Sequence, residues 1–313
     1  MRRQCPQLSP AFTETVARGD LGVESAIRNM NKAVRVFHDT YAARDVSLPV
    51  WSHLSGVGGT TTDHVLLDLS YLVNALGRRL ADLFFDLVDS LERRRLAVSA
   101  LSARAVIETC AAIVYAEERI VRTLGRESTS PTEADLETLV SFLHQMAGGA
   151  RFDWLSWHRS AANRTALLEQ YELAQSVKDE PEPDESLRAV NVMTMIKRFD
   201  ARFLQFARSV GETKCSGAVV RATYAMLSDH CHPASAAYML YLNPTAVPHG
   251  HLFTSDPTDE NLRRFFREMM GYVAPIGNIA DRALIAIGKA ENRFAVQAGR
   301  LPSTLCDWTV EDN

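Results

Sequence analysis

The chain has 313 residues, 46% hydrophobic and 23% charged, a composition that excludes disorder and allows one large domain or two smaller ones with a substantial core. With 34 basic against 38 acidic residues the net charge is −4, so there is no overall pull toward nucleic acid; binding of that kind needs a local basic patch. Cys5, Cys110, Cys215, Cys231 and Cys306 are dispersed, odd in number and form no C-x-x-C pair, which argues against a disulfide framework or thiolate zinc site and places the chain in the cytoplasm.

In chain order, MRRQC is basic but no apolar run follows it, so no signal peptide is expected. Ile27, Met30, Val34, Phe37 and Tyr41 keep 3/4 spacing and predict an amphipathic helix that ends before Pro49. LPVWSHLSGVGGTTTDH then reads as a loop. Its GVGGTTTD shares only glycine content with a phosphate loop, lacking G-K-[ST] and a preceding strand. Leu69, Leu72, Leu76, Leu80, Leu83 and Leu87 mark a long second helix, and Arg93, Arg94 and Arg95 suit its solvated C-terminal end.

The next helix runs to about Leu124. Between Arg95 and Glu117 its only charges are Arg104 and Glu108, which predicts burial nearly all round. The length is near that of a membrane span, but two charges fall mid-segment and the flanking helices are amphipathic, so a helix buried in a soluble bundle is expected, with no membrane partner. Pro131 and Thr132 start a short helix with Glu133 and Asp135 in its first turn, ending at Gly148-Gly149. RFDWLSWHRSAANRTALLEQYELAQSV reads as another helix, followed by the acidic linker KDEPEPDES. Leu187, Val190, Met193, Ile196, Phe199, Phe203, Phe206 and Val210 predict a helix closing near Gly211. The stretch from about Cys215 to Leu242 is helical with an interruption at Pro233, and NPTAVPHGHLFTSDPTDEN is a loop or short hairpin. A final helix through Phe265, Met269, Val273, Ile276 and Leu284 is kinked at Pro275. The expected fold is therefore an all-α multi-helix bundle of about eight or nine helices. It divides into an N-terminal helix and loop (1–62), a helical core domain (63–299) and a C-terminal tail (300–313).

Two polar constellations stand out. Arg104 and Glu108 lie four apart and share a helix face; a charge buried there requires a partner. They are either an ion pair that fixes helix register, or an anchor in which Arg104 takes a phosphate or carboxylate and Glu108 orients it. Tyr224, Ser228 and His232 follow at i, i+4 and i+8 beside the apolar stripe of Val220, Leu227 and Cys231. Pro233 puts His232 at a helix break, a place suited equally to chemistry and to capping. Asp229 and His230 are expected on the more exposed side. If the two helices face each other, His232 could act as general acid or base, while Ser228 lacks an oxyanion loop or G-x-S-x-G elbow.

The patterns R-x-x-x-E (Arg104, Glu108) and Y-x-x-x-S-x-x-x-H-P (Tyr224, Ser228, His232, Pro233) resemble those of uncharacterised bacterial helical proteins of broadly HEPN-like type. The resemblance covers about Asp63 to Asn243. It implies a dimeric bundle, and, since many HEPN-like relatives are ribonucleases of toxin–antitoxin or phage-defence systems, an RNA-directed effector. Those nucleases carry an Arg and a His separated by four to six intervening residues. Arg151 and His158 supply that spacing here, with Phe152 where the pattern usually has a polar residue.

No cofactor or metal is expected. His230/His232 and His249/His251 form two H-x-H patterns, but i and i+2 point apart on a helix and no acidic partner has recognisable spacing. No E-x-x-H signature occurs. Trp154 and Trp157 could stack bases, although helical aromatics usually pack in cores. The working set is Arg104, Glu108, Tyr224, Ser228 and His232, in either an RNA-directed homodimer or a non-catalytic binding or assembly module, with the partner protein unspecified.

Overall fold

Local capping chemistry sets where the helices begin. Ser9 accepts the Phe12 N–H and Pro10 fills the first turn, which starts α1 (Pro10–Ala17), a helix the periodicity did not reveal. Arg18 and Gly19 turn the chain at φ 44° and 79°, and Asp20 caps α2 (Leu21–Phe37) through the Gly22 and Val23 amides. The computed structural model describes residues 4–42, 60–125, 130–148, 191–212, 217–232, 241–247, 250–253 and 256–300. The Arg151–His158 pair, Trp154, Trp157, the acidic linker, Pro233 and the tail beyond Arg300 lie outside the described residues.

The helix expected through Tyr41 is α2 followed by a π-helical turn, His38–Ala42. All five residues of its apolar spacing are buried. Thr60 and Asp63 exchange backbone and side-chain bonds in a capping box that opens α3 (Thr61–Glu92). A tight turn through Arg94, at φ 58°, leads into α4 (Leu96–Leu124). Arg94 ion-pairs with Asp259 at 2.8 Å, so the arginine run is more than a solvated helix end. Thr132 and Asp135 form a second capping box at α5 (Glu133–Gly148), as the Pro-Thr signal predicted. Then follow α6 (Val192–Ser209) and α7 (Val219–Cys231). The alternative of loop or hairpin resolves to a two-stranded antiparallel hairpin, β1 (Leu242–Val247) with β2 (Gly250–Phe253). Thr258 caps α8 (Asp259–Phe265), which passes through a π-helical turn (Phe266–Met270) into α9 (Gly271–Gln297). Pro275 sits inside α9; it has no N–H for the Gly271 carbonyl, and the π turn lies immediately upstream. Nine α-helical segments among the described residues make this an all-α multi-helix bundle.

The chain folds as two compact units. One comprises Met1–Ser47, Val73–Glu118 and Val192–Ile287. In its core Phe37 stacks on Phe84 (5.2 Å between centroids) and on Tyr41 (5.8 Å), while Phe12 meets Phe266 edge-on. The other unit comprises Leu48–Leu72, Arg119–Asn191 and Gly288–Asn313. In it Arg300 holds Asp63 through two bonds of 2.8 and 3.2 Å, and Ser70 donates to Glu291 at 2.6 Å. Helix α4 is buried along most of its length, with Val98 and Leu101 the exposed exceptions among its large apolar residues. Among the described residues it is also the one helix long and apolar enough to cross a membrane.

Candidate functional site: a polar clasp between two helices

One helical turn separates Arg104 from Glu108, and the Arg104 Nε donates to Glu108 Oε1 at 3.0 Å. Tyr224, reaching from α7, donates its hydroxyl to that same oxygen at 2.9 Å and accepts from Arg104 Nη2 at 3.1 Å. The guanidinium carbon also lies 5.1 Å from the centre of the Tyr224 ring. Three side chains from two helices thus form a closed ring of hydrogen bonds. The charged pair is less enclosed than the sequence led us to expect: the Arg104 and Glu108 side chains are 28% and 30% exposed, whereas Tyr224 is buried. The i, i+4 spacing put both charges on one face, and that face borders solvent at the edge of the apolar helix.

The electrostatics suit a locked assembly. Burial, reinforced by the Glu108 carboxylate, pushes the Tyr224 hydroxyl above its ordinary range, so it stays a donor. Burial works against the charged form of Arg104, but its bonds to Tyr224 and Glu108 more than offset this and raise its pKa. Burial also raises the Cys231 thiol, with Arg104 opposing; a protonated thiol is a poor nucleophile.

The other two members of the working set do not close onto the ring. Ser228 donates its hydroxyl to the Tyr224 carbonyl at 2.8 Å, a bond along its own helix. His232 terminates α7 in extended backbone geometry (φ −93°, ψ 157°), as a residue before proline prefers, and its N–H reaches the Ser228 carbonyl. Its side chain is exposed and makes no hydrogen bond or ion pair among the described residues. Eight residues along a helix rotate by about 80° net, which carries position 232 well off the line through Tyr224. His230, expected on the exposed side, is instead half-buried: its Nδ1 donates to the Met226 carbonyl at 2.7 Å and its ring meets Phe265 edge-on. Asp229 is exposed, as expected. No three His, Cys, Asp or Glu side chains gather in a metal-binding arrangement among the described residues. His251 falls on β2, and His249 lies outside the described residues.

Sequence reasoning missed the residue that aims α7. Asp200, buried on α6, accepts the Val220 N–H at 2.9 Å and the Arg221 N–H at 3.3 Å, capping a helix whose own N-cap, Ala218, has no side chain for the task. A signal existed: Asp200 falls on the apolar face of α6, four residues after Ile196 and three before Phe203. Burial pushes its carboxyl up while the two amides pull it down. Replacing it with Ala should cost about 1–2 kcal/mol in urea denaturation, whereas Asn, which keeps an acceptor oxygen, should lose less than half of that. Equal losses in both variants would remove the capping role.

A groove of about 820 Å³ runs beside α2, with Arg28, Lys32 and Arg35 at one cation per helical turn and Glu24 at one end. None of the three cations makes an ion pair among the described residues. Comparison with protein-family models, curated proteins and solved structures finds no match. The functional reading therefore rests on geometry.

Proposed function

We propose that the protein is a non-catalytic helical binding or assembly module in which Arg104, Glu108 and Tyr224 clasp α4 to α7. The observation that carries this reading is the double use of Glu108 Oε1: it accepts from both Arg104 and Tyr224, so the three side chains hold one another across the two helices. Acid–base or nucleophilic chemistry needs a proton acceptor and a reactive group aimed at one another. Here the Ser228 hydroxyl is bonded to a carbonyl, the Cys231 thiol is held protonated, and the His232 ring joins none of them. A cytoplasmic homodimer without a membrane partner fits this reading.

A second reading, an RNA-directed effector of HEPN-like type acting in bacterial defence, draws support from the α2 groove, the local basic patch such binding requires in a chain of net charge −4. Labelled RNA incubated with the wild type, His232→Ala and Arg104→Ala separates the two. The module reading expects no cleavage by any of them, and an Arg104→Ala protein destabilised by about 1–3 kcal/mol because Glu108 and Tyr224 lose their shared partner. Cleavage by the wild type that disappears in a still-folded His232→Ala variant would establish the effector reading instead. Cleavage retained in both variants would show an active centre outside the five-residue set.

A further inference from the structure

Helices α6 and α9 leave a cleft of about 220 Å³, lined by Arg202, Gln205, Phe206 and Ser209 from the first and by Ile279 and Arg282 from the second. The α6 residues stand at i, i+3, i+4 and i+7, a single helix face. Among the described residues this lining holds two guanidinium groups and no carboxylate. Like charges facing one cleft repel unless an anion lies between them, and neither arginine is neutralised by a close, well-formed ion pair. Arg282 makes no ion pair among the described residues; its guanidinium lies 5.6 Å from the centre of the Phe206 ring. Its chain neighbour Asp281 is largely buried, which pushes its carboxyl pKa up to about 6. Arg202 meets the buried Glu117 only at 3.5 Å and keeps 45% of its side chain exposed. The Gln205 amide adds a neutral donor beside them.

We propose that this cleft binds the phosphoryl group of a small phosphate-bearing ligand. Two cations reaching in from different helices match a dianion whose oxygens diverge, and guanidinium forks give charge-assisted bonds to such oxygens. The volume falls below the range usual for drug-sized ligands, so the cleft encloses the phosphoryl head and leaves any ester substituent at its open mouth. The site shares no residue with the Arg104–Glu108–Tyr224 clasp, so its failure would leave the module reading untouched.

Calorimetric titration of the full chain at fixed ionic strength tests it, with inorganic phosphate in one arm and glycerol 3-phosphate in the other. Saturable binding is expected, weakened at least about tenfold by Arg282→Gln and by Arg202→Gln, and unchanged by Lys289→Ala, an exposed cation elsewhere. Arg202→Gln leaves Glu117 without its cation and can disturb folding; Arg282→Gln breaks no ion pair and keeps the test decisive. Tighter binding of the ester identifies the ligand as a phosphorylated small molecule, and equal binding identifies free phosphate. Absence of saturable binding in both arms, or affinity unaltered in Arg282→Gln, overturns the proposal.

Discussion

Gly77→Ala is expected to destabilise the first unit by about 2–3 kcal/mol, even though alanine is the better helix former by about 1 kcal/mol. A Cβ at position 77 would stand 2.5 Å from Cε1 and 2.7 Å from Cγ of Tyr41. Cγ is bonded directly to the Tyr41 Cβ, so the ring cannot withdraw by bending at its far end; its χ1 or the π-helical turn that carries it must move. Movement is resisted because Tyr41 stacks on Phe37 and Phe37 on Phe84. Phe84 in turn packs so closely on Gly277 that a Cβ there would fall 2.7 Å from its Cζ. Close-packed interiors transmit such a displacement instead of absorbing it. In a Tyr41→Leu background the same glycine replacement should become neutral or mildly stabilising, as helix propensity alone dictates. Urea denaturation of the four proteins in this cycle measures the coupling. A Gly77→Ala protein that melts above the wild type would show that the ring does not rest on the glycine.

The helices were legible because burial writes itself into spacing. Ile27, Met30, Val34 and Phe37 recur at 3/4 intervals because one face of α2 is buried, and all four are indeed in the core. Thr132 announced α5 because its cap is local, a bond to an amide three residues away. A long-range cap leaves its trace elsewhere: Asp200 serves amides 20 residues downstream, so its mark is a carboxylate on the apolar face of α6, and nothing near Val219 foretells it. The site was legible only in part for the same reason. Spacing placed Arg104 beside Glu108 and singled out Tyr224, but depth depends on which helices cover a face, and neither separation nor composition encodes that. His232 was drawn into the set by its i+8 position, where helical drift already turns it away. The two π-helical turns, His38–Ala42 and Phe266–Met270, insert a register change that a fixed 3.6-residue period cannot represent.

The clasp and the aromatic stack stabilise the first unit by different physics, and pH separates them. In the clasp, the pKa values of Tyr224 and Arg104 are both raised, away from the neutral range. The aromatic stack ends beside a titrating group, since the Tyr41 hydroxyl lies near enough to the Asp281 carboxyl to pull its pKa down.

Asp281→Asn is accordingly expected to stabilise the protein by about 3 kcal/mol at pH 7–8 and to have almost no effect below pH 4. Burial pushes the Asp281 carboxyl from 3.8 up to about 6, against the opposing pull of the Tyr41 hydroxyl and the Arg282 guanidinium. With the folded pKa above the unfolded one, the native state binds the proton more tightly. Below the unfolded value both states are protonated and burial of the neutral acid carries no charge penalty. As pH rises from about 4 to 6 the unfolded chain ionises freely while the folded chain does so only against desolvation, so wild-type stability falls across that window and levels off above it. Asparagine keeps the shape without ever ionising, which removes the decline. Denaturation midpoints of both proteins at half-unit steps from pH 3.5 to 8 should converge at the acid end and diverge by about 3 kcal/mol at the other. Parallel curves across that range would mean that the carboxylate ionises in the folded protein as easily as it does in water.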